Sequence, residues 1–244
     1  MVNTEELKEL VADCPTLHHM AALGSWPSIR ERGLLSTSAL LDLYQVTGEE
    51  RHSIEEERRG NSVVLKREKV PPAVVRDQLP MTDGGLLRCL PKHLSPADWY
   101  KILNQKTFFW LTRDRLLRLL NAGTYRNEAH DVLEVSTQGL LDNYFNKIWF
   151  CPMNSGSTKP MPHPRDENTF RRIPNYPYAD WRPKRARGER VVEFAIDGGV
   201  PDISKYGPAK SRPCLLASAR RSRSRRRSLS SGRGLRVVLE QIVG

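Results

Sequence analysis

Seven prolines fall between Pro152 and Pro183, in a stretch running to Gly188 that is rich in Asn and Arg and poor in aliphatic residues. Proline has no amide hydrogen to donate and pushes the residue before it out of the helical region. No long helix and no central strand can therefore run through this interval. The chain has to carry it as a long loop, and a loop of that length inside a compact domain is more often functional than not. Directly beyond it, Arg190-Val-Val-Glu-Phe-Ala-Ile196 alternates as a strand and closes in the turn Asp197-Gly-Gly199.

Upstream, short helices and strands alternate irregularly. Thr4 caps a helix with Glu5 and Glu6 in its first turn and Leu7, Leu10 and Val11 on one face. Thr16–Met20, bounded by Pro15, reads as a strand. Ser25 starts a short helix with Pro27 in its first turn and Gly33 as a left-handed C-cap. The Ser36-Thr37-Ser38 cluster opens another helix, through Leu40, Leu41 and Tyr44 to Gly48. Residues 49–62 read as helix plus exposed loop, Val63–Lys66 as a strand, and Pro71-Pro72 as a break. Gly84-Gly85 reads as a turn. Ser95-Pro96 opens a helix with Trp99, Ile102 and Leu103 inward, since proline at the first helical position loses no hydrogen bond. Thr107–Leu111 is an aromatic strand, Asp114–Asn121 a leucine-rich helix, and Asp131–Ser136 and Lys147–Cys151 are two further strands. Without a regular βαβ alternation or an internal repeat, this pattern is that of an α+β fold.

Charge divides the 244 residues into two parts. Lys and Arg number 39 against 28 Asp and Glu, a net charge of +11. Residues 218–244 hold eight arginines and one acid, Glu240, so they carry +7 and leave +4 for the rest. The reading is one folded domain over residues 1–216 and a low-complexity Arg/Ser tail over 217–244. The tail is suited to sequence-independent, salt-sensitive contact with nucleic acid. Apolar runs are only a few residues long, too short to span a membrane. The four cysteines form no CxxC or Cys/His ligand pair, so no metal site is expected. The start of the chain is acidic and polar, which with the cysteine usage fits a cytoplasmic setting.

Several residues stand out chemically. His19 ends the pair His18-His19 in a short strand, followed by a short helix and turn at Ile29-Arg-Glu-Arg-Gly33-Leu34. Phe109 and Trp110 sit on the aromatic strand. Glu193 faces with Val191 and Ala195, opposite the apolar set Val192, Phe194 and Ile196. Each has an ordinary reading, as a core histidine, core aromatics and a solvated edge glutamate. Walker, Gly-x-Ser-x-Gly and HExxH patterns are absent.

Taken in order, His19, Gly33-Leu34, Phe108-Phe109-Trp110, Asn154, Thr169-Phe170, Trp181, Glu193-Phe194 and Val200-Pro201 resemble the DarT family of nucleic-acid ADP-ribosyltransferases. The similarity runs from about Thr16 to Ser204. It departs at Pro80–Lys106, which is long here, and in an aromatic strand that lacks the family's tyrosine, so the chain resembles a bacterial branch rather than the toxins themselves. The resemblance implies a split β-sandwich core with peripheral helices and NAD as co-substrate in a cleft between two small sheets. His19 would hold a ribose hydroxyl, Gly33 and Leu34 the turn beside it, and Phe109 or Trp110 the pocket wall. An upstream arginine, Arg76 first and Arg59 second, would hold the NAD phosphates, and Glu193 would be catalytic. Asn154, Arg165, Thr169 and Phe170 of the long loop would present single-stranded DNA or RNA, and an antitoxin partner would fit the same family. A protein-modifying ADP-ribosyltransferase and an RNA 2′-phosphotransferase share that fold and stay open. So does, in another class, a nucleic-acid-binding protein with an inactive cleft.

Overall fold

The computed structural model describes residues 4–123, 125–207 and 212–214. The Arg/Ser tail lies outside the described residues. The chain begins with helix α1 (Thr4–Asp13), strand β1 (Thr16–Ala22), α2 (Trp26–Arg32), β2 (Leu34–Leu35), α3 (Thr37–Leu43) and α4 (Gly48–Glu55). A hairpin of β3 (Val63–Arg67) and β4 (Val70–Val75) follows, then α5 (Asp83–Leu87), α6 (Pro96–Asn104) and β5 (Lys106–Trp110). Next come α7 (Arg113–Leu120), β6 (His130–Ser136), α8 (Thr137–Tyr144) and β7 (Ile148–Cys151). The last elements are β8 (Arg171–Arg172), α9 (Tyr178–Trp181), β9 (Glu193–Asp197), β10 (Gly199–Val200) and β11 (Arg212–Cys214). The class is α+β, with antiparallel sheets. Among the described residues no helix is long and apolar enough to cross a membrane.

Seven strands form one sheet in the order β11-β6-β1-β5-β9-β7-β8, and β2–β10 and β3–β4 make two-stranded ribbons. The large sheet is not uniform. β1 pairs with β6 from Thr16↔Ser136 to Ala22↔His130, and β5 pairs with β9 from Lys106↔Asp197 to Trp110↔Glu193. Between β1 and β5 the ladder has one matched pair, His18↔Trp110. The two halves therefore part at this junction, leaving β1 backbone groups beyond His18 unpaired on the β5 side. His19 fills the gap: its ring bonds Phe108 O across the opening at 2.8 Å.

Each face of the sheet carries its own core. Leu17, Phe109, Phe150 and Phe194 lie in one, with Phe109 and Phe150 rings set against Phe194 at 6.2 and 5.6 Å. Trp99 and Tyr100 of α6 pack with Cys151, Ala195 and Phe170 in the other. A third cluster joins α3 and α4 to the β3–β4 ribbon through Leu41, Ile54 and Leu65.

Gly33 explains how the early and late motifs meet. β2 pairs with β10, Leu34 opposite Val200, and a Cβ on Gly33 would come within 2.4 Å of Pro201 Cα. Its φ of +90° is paired with a ψ of 165°, so it is not the left-handed C-cap expected, but only glycine fits there.

Other departures have local causes. Pro71-Pro72 does not break the strand; it lies within β4, opposite the register shift between Leu65 and Arg67, where a missing donor costs no ladder bond. Gly84 and Gly85 are helical, in α5, and Gly85 lets that helix approach Thr158, whose Oγ1 would be 2.5 Å from an added Cβ. α3 stops at Leu43, short of Gly48. α8, capped by Ser136 onto Gly139 N, was not legible beforehand. Within the proline-rich interval, Phe170, Ile173, Tyr176 and Tyr178 are buried, and the Tyr176 hydroxyl donates to Arg190 O at 2.7 Å. The loop is held down by its own rings.

Candidate active site

A cavity of about 300 Å³ opens where β1 and β5 part. Its polar wall includes His19, Glu193, Arg59, Arg76 and Asn154, and its flat wall Phe108 and Trp110; Leu34, Ile29 and Leu40 line the apolar end.

His19 lodges deep in the fold but is open to the cavity. Burial pushes its pKa down to about 4, so the ring is neutral near pH 7. With the Nδ1 proton donated to Phe108 O, the neutral ring presents Nε2 as a hydrogen-bond acceptor.

Glu193 begins β9, between Trp110 on β5 and Cys151 on β7. It is 4% exposed, and burial raises its pKa to about 7 against the opposing pull of hydrogen bonds. The Ser155 amide donates to both carboxylate oxygens, at 3.1 and 3.2 Å. A carboxyl poised near neutrality in a cavity wall can exchange a proton at physiological pH and stabilise a developing cation.

The two arginines differ. Arg59 is buried: its Nε donates to Arg76 O at 3.0 Å, Nη2 to Asn104 Oδ1 at 2.9 Å and Nη1 to Ile54 O. It ties α4 to α6 and the strand end rather than reaching outward. The Arg76 guanidinium lies 4.9 Å over the Tyr125 ring, Nη1 donates to His130 Nδ1 at 3.2 Å, and Asp77 stands 3.5 Å away. Tyr125 in turn donates to Asp77 Oδ1 at 2.7 Å. That network orients Arg76 on the cavity wall.

Seven of the residues singled out from sequence line the cavity: His19, Leu34, Arg59, Arg76, Trp110, Asn154 and Glu193. The remaining five lie elsewhere. Gly33 serves the approach to Pro201. Phe109 points into the opposite core, because strand parity puts Phe108 and Trp110 at the cavity instead. Phe170 is core, stacked near Trp99 at 6.0 Å, and Thr169 caps the turn at Asp166. Arg165 is 3% exposed and spends its guanidinium on Ser155 O, Ser157 O and His163 O at 2.8, 2.9 and 3.1 Å. It braces the segment whose Ser155 amide holds Glu193; it does not face solvent. Two other arginines of the long loop are also engaged: Arg172 pairs with Asp197 at 2.6 Å, and Arg182 lies 3.6 Å from Glu6.

A second depression, a groove of about 750 Å³, shares Asn154 with the cavity. Lys159, His163, Arg115 and Arg185 line it, with Trp181 and the 71%-exposed Met161. Arg185 stacks 4.1 Å over the Trp181 ring, and Arg115 pairs with Glu189. Arg115 and Arg185 gave no sequence signal: one sits on an unremarkable amphipathic helix, the other in a charge run. Among the described residues no group of three potential metal ligands comes together.

Residues 15–207 match the model of a family of unknown function, DUF7002, and the chain belongs to that family. No curated protein and no solved structure matches the chain.

Proposed function

We propose that the protein is an NAD-dependent mono-ADP-ribosyltransferase that modifies a nucleobase of single-stranded DNA or RNA. The observation that carries this reading is the pairing of Glu193 and His19 in one cavity. A buried carboxyl near its neutral point and a neutral imidazole with a free acceptor line the place where the sheet splits. A parting of the sheet into β11-β6-β1 and β5-β9-β7-β8 is also what an ADP-ribosyltransferase-like split core requires.

In this reading His19 Nε2 accepts from a ribose hydroxyl of NAD, and Phe108 and Trp110 flank the nicotinamide. Arg76 contributes positive potential. The bond between nicotinamide nitrogen and ribose C1 breaks, its electron pair leaving with nicotinamide. A base nitrogen supplies the pair for the new bond to C1, and its proton passes to the Glu193 carboxylate. Glu193 also stabilises the cationic ribosyl centre while the bonds exchange. The products are nicotinamide, ADP-ribosylated base and one proton.

The neighbouring groove supports a nucleic-acid acceptor, because it combines cations with a stackable indole and meets the cavity at Asn154. The test is mass spectrometry of a single-stranded oligonucleotide and of added protein after incubation with NAD and the enzyme. An ADP-ribose adduct on the oligonucleotide, with free nicotinamide, is expected. Adducts on protein side chains alone would move the enzyme to the protein-modifying class, and no nicotinamide release would leave a binding protein.

A further inference from the structure

The charges of the groove are lopsided. Arg115, Lys159 and Arg185 line it against a single carboxylate, Glu189. Glu189 is committed to Arg115, in an ion pair whose side chains stay 30% and 17% exposed, respectively.

The sequence places both partners. Gly188 and Arg190 on either side of Glu189 are buried and turned toward α1. Gly188 bends at φ +75° and its carbonyl accepts from the Cys14 thiol at 3.7 Å, while Arg190 pairs with Glu9. The Glu189 side chain between them is left facing the groove. Arg115 comes from the first turn of α7, where Thr112 Oγ1 accepts from its amide at 3.4 Å.

As a structural tie the pair is redundant. The segment is already fastened to α1 by Arg187 to Asp13 at 2.9 Å, by Arg182 to Glu6 and Glu9 at 3.6 and 3.7 Å, and by Arg190 to Glu9. Electrostatically it is not redundant. Burial and then the charges of Arg118 and Arg185 lower the Arg115 pKa, with Glu193 acting the other way. The guanidinium stays charged all the same. A cation crowded by two others draws an anion, and its coupling to Glu193 puts it within the field of the carboxyl proposed to do the chemistry.

We propose that Glu189 is a built-in stand-in for a phosphate of the acceptor: it holds Arg115 in the free protein and yields it to a backbone phosphodiester when a single strand enters the groove. This rests on the reading of the groove as the acceptor path. Carboxylate and phosphate present the same paired oxygens to a guanidinium, so the exchange replaces one set of charge-assisted hydrogen bonds with another. A partly exposed ion pair contributes little stability in water, so Glu189 is readily displaced. A neutral or cationic segment has nothing to displace it with, and selectivity for a polyanion follows.

The experiment is fluorescence-anisotropy titration of the full chain, without NAD, against a labelled single-stranded DNA oligonucleotide of mixed sequence over a range of salt concentrations. Glu189→Gln should bind it more tightly, by roughly threefold or more at low salt. Its slope of log affinity against log salt should steepen by about 0.7, the contribution of one freed cation on a single strand. A gain in affinity cannot come from a damaged fold. The gain should need Arg115: the double variant Arg115→Gln/Glu189→Gln should bind about tenfold more weakly than Glu189→Gln, the scale of a lost hydrogen bond between charged groups. The same sequence with uncharged methylphosphonate linkages should bind wild type and Glu189→Gln alike. Unchanged or weaker binding by Glu189→Gln, or a double variant equal to it, would overturn the proposal. So would an equal gain for the methylphosphonate strand, or a wild type that does not bind the oligonucleotide. Nicotinamide release decides the transferase reading separately. Tighter binding by Glu189→Gln in a protein that releases no nicotinamide would keep the stand-in and discard the NAD chemistry.

Discussion

The cavity and the groove meet at Asn154 but are built on opposite principles. In the cavity, the groups with chemical potential are enclosed and few: His19 and Glu193 are shifted from their ordinary pKa values in opposite directions by the same cause, burial. In the groove, the groups are more open to solvent and interchangeable, with exposed Lys159 and His163 and half-buried Arg185 around Trp181. Enclosure lowers the effective dielectric and makes each group's placement count. An open cationic surface with one stackable ring instead gives affinity for a polyanion with little demand on geometry. One region is suited to bond-breaking and the other to holding an extended acceptor.

The sharpest way to separate them is Glu193→Gln. Transfer should fall by at least about 100-fold, the scale of losing one transition-state electrostatic group, while oligonucleotide binding in the groove stays as in wild type. The same variant should be more stable. Glu193's folded pKa, about 7, lies above its unfolded value of 4.5, so the folded state holds its proton more tightly. Stability is then greatest below pH 4.5 and is lost as pH rises through 7. A glutamine, always neutral and still able to accept from the Ser155 amide, should regain on the order of 3 kcal/mol above pH 7. Wild-type transfer should rise with pH and level off above about 7, as the carboxylate form takes over. Melting curves and a pH–rate profile check both halves; a variant with undiminished turnover would remove Glu193 from the mechanism.

Arg165→Ala tests whether the two regions share a brace. Arg165 crosses under the segment that ends at Asn154, bonding Ser155 O and Ser157 O, with its cation 5.6 Å over Trp99. Removing it strips the charged donor from both carbonyls, leaving Ser155 O with only the Trp99 indole N–H at 3.3 Å, a loss of about 1–3 kcal/mol. NAD turnover and oligonucleotide binding should therefore fall together, with a lower melting temperature. Loss of oligonucleotide binding alone, at wild-type stability, would put Arg165 back on the ligand-facing surface that the sequence suggested.

That residue shows where sequence stops being informative. Glu193 was legible because it interrupts an apolar strand, and a period of two says which neighbours share its side, whereas His19, next to His18, stood out only through the order of motifs that follows it. Phe109 was misplaced by one residue because both faces of β5 are covered, so nothing in the alternation marks which face meets the cavity. In the proline-rich interval there is no period to read, and Arg165 and Phe170 look the same in sequence as Lys159 and Trp181. Only the fold separates the first pair, buried, from the second, in the groove. The split between β1 and β5 was equally hidden, since each strand alone is ordinary and the gap exists only in their pairing.

Trp181→Ala should act on the groove and not on the cavity, with some loss of melting temperature because the ring also packs against the main core. Stacking of a base on an aromatic ring is worth about 1–3 kcal/mol, so single-stranded oligonucleotide affinity should drop by roughly 5- to 150-fold. Arg185 loses its stacking partner in the same step, and the slow hydrolysis of NAD by water should be untouched. If hydrolysis falls in proportion, the groove is an annex of the cavity and the two regions are one.

The smallest effect, and the most discriminating in kind, belongs to Lys159→Ala. Lys159 is exposed, lines the groove and makes no ion pair among the described residues, so its ammonium is free to neutralise a phosphate. An ammonium acts as a point charge, and releasing one counterion from a single strand contributes about 0.7 to the slope of log affinity against log salt. The variant should lose only a few-fold in oligonucleotide affinity, but its salt slope should be shallower by about that amount. NAD affinity, which in the proposed reading depends on the enclosed groups around His19, should show no change in either value or salt dependence. Titrations of both ligands across a range of salt concentrations decide it. A slope that stays fixed for the oligonucleotide means the strand does not run past Lys159, and the acceptor path has to leave the cavity by another side of Asn154.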